Sequence, residues 1–135
     1  MEGYPTTDFN WPVVPDGFRE CLVGLKERYP DLPPVYITEN GCSYPDGPDA
    51  AGVVDDQRRV SYLDSHLKAV GEAIAEGVDV RGYYTWSLLD NFEWAQGYVE
   101  RFGIVHVDYE TQQRTPKASY HWYADVIRQV RHPAG

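Results

Sequence analysis

The sequence predicts an α/β protein built on one strand–helix–strand unit with parallel pairing. Two runs, at 35–38 and 80–87, are β-branched and aromatic, the composition that strands favour. Between them lies the longest stretch of helical periodicity, and parallel strands need such a crossover. Both runs are apolar nearly throughout, as strands covered on both faces are. Two parallel strands leave unpaired edges on either side, so the unit is expected to be part of a larger α/β assembly.

Taken in order, residues 1–10 are polar and irregular. Pro12 and Pro15 bracket a short extended piece, and Asp16 is placed to cap a helix. Phe18, Leu22, Leu25 and Tyr29 recur at helical spacing until Pro30 stops them. Pro33 and Pro34 lead into the strand at 35–38. Glu39 follows, and then the Asn40-Gly41 pair, which predicts a turn. The loop over 42–54 is rich in Pro, Gly and Asp and longer than most connections, as functional or mobile loops are. Asp55 or Asp56 caps the long helix, which runs to about Glu76 and is stopped by Gly77. Its predicted apolar stripe is Val60, Leu63, Leu67, Val70 and Ile74, with Arg58, Arg59, Lys68 and Glu72 largely outside. After the second strand, 90–103 is a loop crowded with aromatic and acidic residues. A short alternating strand is predicted at 104–109 and a turn at 110–113. Thr115-Pro116 opens the last helix with Pro at its first position, and Tyr120, Tyr123, Ala124, Ile127 and Val130 form its inner face. Residues 131–135 are expected to be irregular, and 1–135 to form one domain.

Composition removes several function classes. The net charge is −9, and no basic stripe exists to neutralise phosphates, which argues against nucleic acid and against an anionic membrane surface. No run approaches the roughly 18 apolar residues of a spanning helix. Residues 1–5 have neither the basic nor the apolar part of a signal peptide, from which a cytoplasmic location is expected. Cys21 and Cys42 stand in no metal or redox spacing and read as free thiols. His66, His106, His121 and His132 lack ligand spacing and read as surface or capping residues. No metal or other cofactor is expected. The four Trp, eleven Tyr and four Phe are many for this length, and such rings make flat platforms for sugars and bases.

In parallel α/β folds, ligands sit at the carboxyl ends of the strands. Glu39 ends the first strand, and Trp86 lies near the end of the second. Alternation puts Val35, Ile37 and Glu39 on one face, and Val80, Gly82, Tyr84 and Trp86 on one face of the neighbour. With those faces interior, a carboxylate and an indole project into one mouth, joined by Glu93 and Trp94 from the loop after the second strand. Carboxylates that grip paired hydroxyls, beside rings that stack on C–H faces, are what a carbohydrate site requires.

The motifs Val-Tyr-Ile-Thr-Glu-Asn-Gly at 35–41 and Trp-Ser-Leu-Leu-Asp-Asn-Phe-Glu-Trp at 86–94, followed by Gly97-Tyr98 and Arg101-Phe102-Gly103, resemble glycoside hydrolase family 1, the retaining β-glucosidases. The tail from Arg114 to Ser119, with Trp122-Tyr123, is also similar. The resemblance runs from about Phe9 to about Val130, and corresponds to the C-terminal third or less of a family member. It implies strands seven and eight of an incomplete (β/α)8 TIM barrel. It implies that Glu39 is the catalytic nucleophile, with Asn40 beside it in the mouth as a substrate-binding residue. Trp86 is then the floor beneath the sugar, in a peptide bond to Ser87 that is typically cis. Glu93 holds hydroxyls at the far side of the ring, Trp94 donates its indole N–H, and Phe102 lines the pocket, while Tyr98 is a packing residue. Glu93 and Glu100, as two carboxylates near the sugar's outer end, favour unphosphorylated β-glycosides over 6-phosphorylated ones.

One departure limits these expectations. A retaining mechanism needs a second carboxyl group about 5–5.5 Å from the nucleophile. The family supplies it from an Asn-Glu-Pro motif, and no Asn-Glu-Pro occurs in these residues. The family's Gln, His and Arg partners from the early strands are missing too. Asp8, Asp46, Asp49 and Asp90 are the local acids that could in principle stand in. The expected activity is therefore β-glucoside hydrolysis in which this chain supplies the nucleophile and part of the sugar subsite, inactive alone. The alternatives are a sugar-binding remnant without turnover and an inert fragment. Expected partners are a β-glucoside or oligosaccharide substrate and either an N-terminal barrel portion or a second copy of the chain.

Overall fold

The computed structural model describes residues 3–131. Three helices, α1 (Pro15–Arg28), α2 (Gln57–Ala75) and α3 (Ala118–Arg131), accompany four strands: β1 (Val35–Asn40), β2 (Val80–Thr85), β3 (Val105–Val107) and β4 (Arg114–Pro116). β1 and β2 pair in parallel, with α2 as the crossover between them. β3 and β4 form a separate antiparallel ribbon. Among the described residues, β1 and β2 pair only with each other, so each keeps an open edge. The expected irregularity of 132–135 lies outside the described residues, and Arg131 is the last residue of α3.

The apolar core forms on one side of the parallel pair. Leu22 of α1, Ile37 of β1, Val70 and Ala73 of α2, and Val78 cluster there, backed by Phe18, Val35, Val80 and Tyr83. A second cluster joins Leu63 of α2 to Ile104 and Val105, with Trp122 and Tyr123 of α3 against it. The opposite face of the sheet is bare: Tyr36 and Tyr84 are 54% and 59% exposed. The strands are thus covered on one face, and the apolar character of the other is left facing outward.

Several expectations need correcting. Val35, Ile37 and Val80 face the helices, whereas Gly82 and Tyr84 lie on the bare side with Tyr36, whose ring fills the space above Gly82. The pairing register slips between Val35 and Tyr36 and again between Ile37 and Asn40, and these irregularities break the assumed alternation. α1 starts at Pro15, so Asp16 lies in its first turn rather than at the cap, where its charge suits the helix dipole. Pro116 does not open α3. It ends β4 opposite Val105, an edge position where a missing N–H is tolerated. The α2 stripe is also shifted: Ile74 is 47% exposed, while Arg59, His66 and Ala73 are buried. On α3, Val130 is exposed rather than inward.

Arg59 turns inward because its partners are inside. Its guanidinium bonds Asp46 and Asp56 and reaches the Arg101 carbonyl. Asp56 also accepts the Ser119 backbone N–H at 2.8 Å, so it caps α3 from the foot of α2 instead of making a side-chain cap on its own helix. Asp90, buried, accepts the backbone N–H of Gly103 at 2.9 Å and ion-pairs with Arg101 and with fully buried Lys117. Burial holds the Lys117 ammonium below the ordinary lysine range.

His66 and His106 are likewise buried rather than at the surface. His66 stacks on Tyr62 at 3.9 Å and bonds the Tyr62 carbonyl through Nδ1 at 2.8 Å. Burial lowers the pKa of both rings below the ordinary 6.5. A folded-state pKa below the unfolded one means that the unfolded chain takes up the proton more readily. Stability should therefore be complete above about pH 6.5 and fall as pH drops through and below it. Urea midpoints at pH 7.5 and 5.5 test this, and His66→Gln with His106→Gln should flatten the difference. An unchanged slope in the double variant would contradict the assignment.

Candidate active site

At the carboxyl ends of β1 and β2 lies a cleft of about 500 Å³, lined by Trp11, Glu39, Asn40, Gly41, Tyr62, Trp86, Glu93, Trp94 and Phe102. All six residues singled out from the sequence, Glu39, Asn40, Trp86, Glu93, Trp94 and Phe102, line this one space. They come from three separate stretches of chain, so their convergence is a property of the fold and not of local spacing. A larger groove of about 530 Å³ lies between β2 and α3. It is lined mainly by Tyr and aliphatic side chains and contains no carboxylate, whereas the first holds Glu39 and Glu93.

The cleft is assembled around residues 39–41 and 86–87. Asn40 is the last residue of β1, and its carbonyl accepts the Trp86 N–H at 2.9 Å. The expected turn at Asn40-Gly41 is absent: Asn40 still pairs with Thr85. Gly41 serves another purpose. A Cβ there would lie 1.7 Å from the Trp86 carbonyl oxygen, so only glycine lets the two chain segments pass this closely. The Trp86–Ser87 peptide is cis, as the resemblance implied. Beyond it, Ser87 donates its N–H to the Phe102 carbonyl at 3.1 Å, and Ile104 donates back to the Ser87 carbonyl at 2.9 Å. Phe102 is thereby stitched to the strand end that carries Trp86.

The buried charges reinforce the same rim. Phe102 is flanked by Arg101, whose carbonyl bonds Arg59 and whose guanidinium bonds Asp90 at 3.2 Å, and by Gly103, whose N–H bonds Asp90. Glu93 and Trp94 sit where a single 3₁₀ turn (Trp94–Gln96) begins. The Glu93 N–H donates to the Gly97 carbonyl and the Gln96 N–H to the Glu93 carbonyl. Trp94 is 81% exposed and Trp86 38%, so both indoles present open surface.

Two cleft residues escaped the sequence reading. Trp11 arrives from the N-terminal stretch, which is tied down by the Asp8 N–H to the Ser43 carbonyl at 3.0 Å, and packs against Phe9 and Phe102. Tyr62 comes from α2, where it reads as one more aromatic on a helix; only the folding of α2 beneath the strand ends brings it here. Glu100 is absent from the lining. Its carboxylate accepts the Ser43 hydroxyl at 2.5 Å and is buried, which corrects its expected place near a sugar's outer end. Tyr98 lies between Phe92 and Tyr109, at 5.5 and 4.5 Å, away from the cleft. Asp46 and Asp90 are committed to Arg59, Lys117 and Arg101, and Asp49 to the backbone N–H groups of Ala51 and Val53. Cys42, directly behind Gly41, is a free buried thiol that burial pushes up to about 12. Among the described residues, no group of His, Cys, Asp and Glu is placed to hold a metal.

Gly41→Ala should therefore lower stability by about 3 kcal/mol or more, since the atoms that must give way are backbone. Gly24→Ala, mid-helix with nothing within 4 Å of the added Cβ, should instead gain roughly 0.5–1 kcal/mol. Urea denaturation of both variants checks the contrast, and equal effects would contradict the close approach at Gly41.

Comparison with known proteins adds a family to this geometry. The family model "Glycosyl hydrolase family 1" matches residues 2–132. A 1,4-beta-D-glucan glucohydrolase from Thermotoga neapolitana is 51% identical over 124 residues, which cover 92% of this chain and 28% of that protein. The structure of a psychrophilic beta-glucosidase from Micrococcus antarcticus superposes with a TM-score of 0.93 at 55% identity, covering 95% of this chain and 27% of the other. A beta-glucosidase from Thermotoga maritima, solved in complex with glucoimidazole, superposes with a TM-score of 0.92 at 48% identity, covering 95% and 29%. The chain thus spans less than a third of the length of the relatives it matches. With the family's TIM-barrel architecture met here as an open piece, this chain belongs to glycosyl hydrolase family 1.

Proposed function

We propose that this chain is the nucleophile-bearing portion of a retaining β-glucosidase, corresponding to strands seven and eight of the barrel with their helices. The observation that carries the reading is the cleft itself: two carboxylates and five aromatic side chains converge at the carboxyl ends of a parallel pair. In this reading Glu39 attacks the anomeric carbon and forms a glycosyl-enzyme that water later hydrolyses. Trp86 forms the floor under the sugar, Glu93 accepts hydrogen bonds from its hydroxyls, Trp94 donates its indole N–H, and Phe102 closes one side. Asn40 stands beside Glu39 in the mouth.

The acid/base partner is proposed to come from elsewhere in the barrel. Of the acids considered as local substitutes, Asp46, Asp49 and Asp90 are engaged away from the cleft, and Asp8 does not line it. Glu93 is the second carboxylate of the cleft, and its proposed work is hydroxyl binding. The chain by itself is therefore expected to be inactive. Unphosphorylated β-glycosides remain the proposed substrates. The charge argument for them now rests on Glu93 alone, since Glu100 is turned to Ser43.

The proposed partner is an N-terminal barrel portion, with self-association as its substitute when that portion is lacking. The open edges of β1 and β2 offer unpaired backbone groups. Beside β2, the groove formed with Leu88, Tyr120, Tyr123 and Ile127 leaves apolar surface to cover.

An aryl β-glucoside assay tests the proposal, with the purified chain alone and mixed with the N-terminal barrel portion of a relative. Turnover is expected only in the mixture, and Glu39→Gln should reduce it by on the order of 10⁴-fold or more, as other lost nucleophiles do. Hydrolysis by the chain alone that survives Glu39→Gln would overturn the assignment.

A further inference from the structure

The Asn40 side chain in the cleft is already engaged at both ends of its amide. Its Oδ1 accepts the Tyr83 hydroxyl at 2.7 Å, and its Nδ2 lies 3.5 Å from the Tyr62 hydroxyl. The two phenols come from different elements, β2 and α2, and both are rooted in packed surroundings. Tyr83 packs on the Leu22–Ile37–Val70 cluster, and the Tyr123 hydroxyl donates to its carbonyl at 3.3 Å. Tyr62 stacks on buried His66 with the rings 19° from parallel. Burial raises both phenols, Tyr62 to about 12 and Tyr83 further, so each stays neutral with its proton in place.

The backbone explains what such a clamp would serve. The β1–β2 register slips between Ile37 and Asn40. Ile37 faces the helices, and Thr38 and Glu39 have no partners in the ladder. Pairing resumes at Asn40, which meets Thr85 and receives the Trp86 N–H. Glu39 therefore leaves the sheet at an irregularity, and the next residue alone returns the chain to the neighbouring strand. Irregularities of this kind re-aim side chains, but an unpaired stretch at an open sheet edge needs something to hold its direction.

We propose that Asn40 is a positioning residue, clamped by Tyr83 and more loosely by Tyr62, which fixes the aim of Glu39 instead of binding sugar. The inference rests on the reading of Glu39 as the nucleophile for its functional meaning, and on the register slip and the hydroxyl–amide bond for its structural one. The clamp requires an amide at position 40: the oxygen accepts from Tyr83 while the nitrogen faces Tyr62. It predicts that loosening Tyr83 disturbs the attack geometry without touching the sugar subsite. Misplacing a reacting group by about 1 Å costs up to roughly 10²-fold in rate, and losing one neutral hydrogen bond shifts a local equilibrium by about tenfold.

Two measurements on Tyr83→Phe, which keeps the ring and removes only the hydroxyl, test the clamp. In hydrogen–deuterium exchange of the chain, the peptide over 35–41 should exchange about tenfold faster than in the parent, while the peptide over 57–75 is unchanged. No change at 35–41 overturns the clamp. Faster exchange in both peptides also overturns it, since Tyr83 would then support the core at large. In the mixture with an N-terminal barrel portion, Tyr83→Phe and Asn40→Asp should each lower kcat by on the order of tenfold or more with KM within about twofold. A raised KM at constant kcat makes Asn40 a sugar ligand and sinks the proposal. A mixture that is inactive with the parent chain counts against Glu39 as nucleophile, and the exchange result still decides the clamp.

Discussion

The constraint on which the rest depends is a set of charges held inside a small chain. Arg59, Asp46 and Asp56 form one group, and Asp90, Arg101 and Lys117 form another, with Lys117 close to both Asp46 and Asp90. Removing such ions from water costs several kcal/mol each, and a lost partner leaves the other stranded at about 3–5 kcal/mol. These groups tie together four segments: the loop after β1, the foot of α2, the start of α3, and the loop that carries Phe102. The apolar clusters set the helices on one side of the sheet. The charges set where the loops go.

That division explains what the sequence disclosed. The parallel unit, the crossover helix and the residues of the cleft were legible because they rest on local composition and on motifs with fixed spacing. The charged network was not. Arg59 reads as an outward residue of an amphipathic helix, and its inward turn depends on Asp46 and on the Arg101 carbonyl, 42 residues away. Asp56 looks like a cap for its own helix and serves instead a serine 63 residues later. His66 and His106 were misread for the same reason: burial comes from packing partners, not from the residue or its neighbours in sequence. The face assignment fails where the pairing slips: Val35 and Ile37 keep one face, but Val80 parts from Gly82 and Tyr84, and strict alternation does not survive such irregularities.

The site shows the same logic at closer range. Glu39 and Trp86 come from different segments, and the two residues after Glu39 bring them together: Asn40 meets the Trp86 backbone through one hydrogen bond, and Gly41 passes it so closely that no side chain is tolerated. The mouth is closely packed at that point and more open elsewhere, with Trp94 on a single 3₁₀ turn and largely exposed. A covalent mechanism makes its strictest geometric demand at the attacking oxygen, while subsites for hydroxyls can close around the substrate. Under the proposed reading, the close approach beside Glu39 suits that demand, and the unpaired edges and the groove beside β2 suit a chain completed by further barrel strands.

The most direct test of the central claim is covalent trapping. A β-glucoside with fluorine at C2 and a good leaving group slows both steps and leaves the sugar on the attacking residue. Given to the chain together with an N-terminal barrel portion, it should add one fluoroglycosyl mass to the peptide containing Glu39 and to no other peptide of this chain. An adduct on a different carboxylate, or turnover of ordinary substrate with Glu39 unlabelled, would contradict the account.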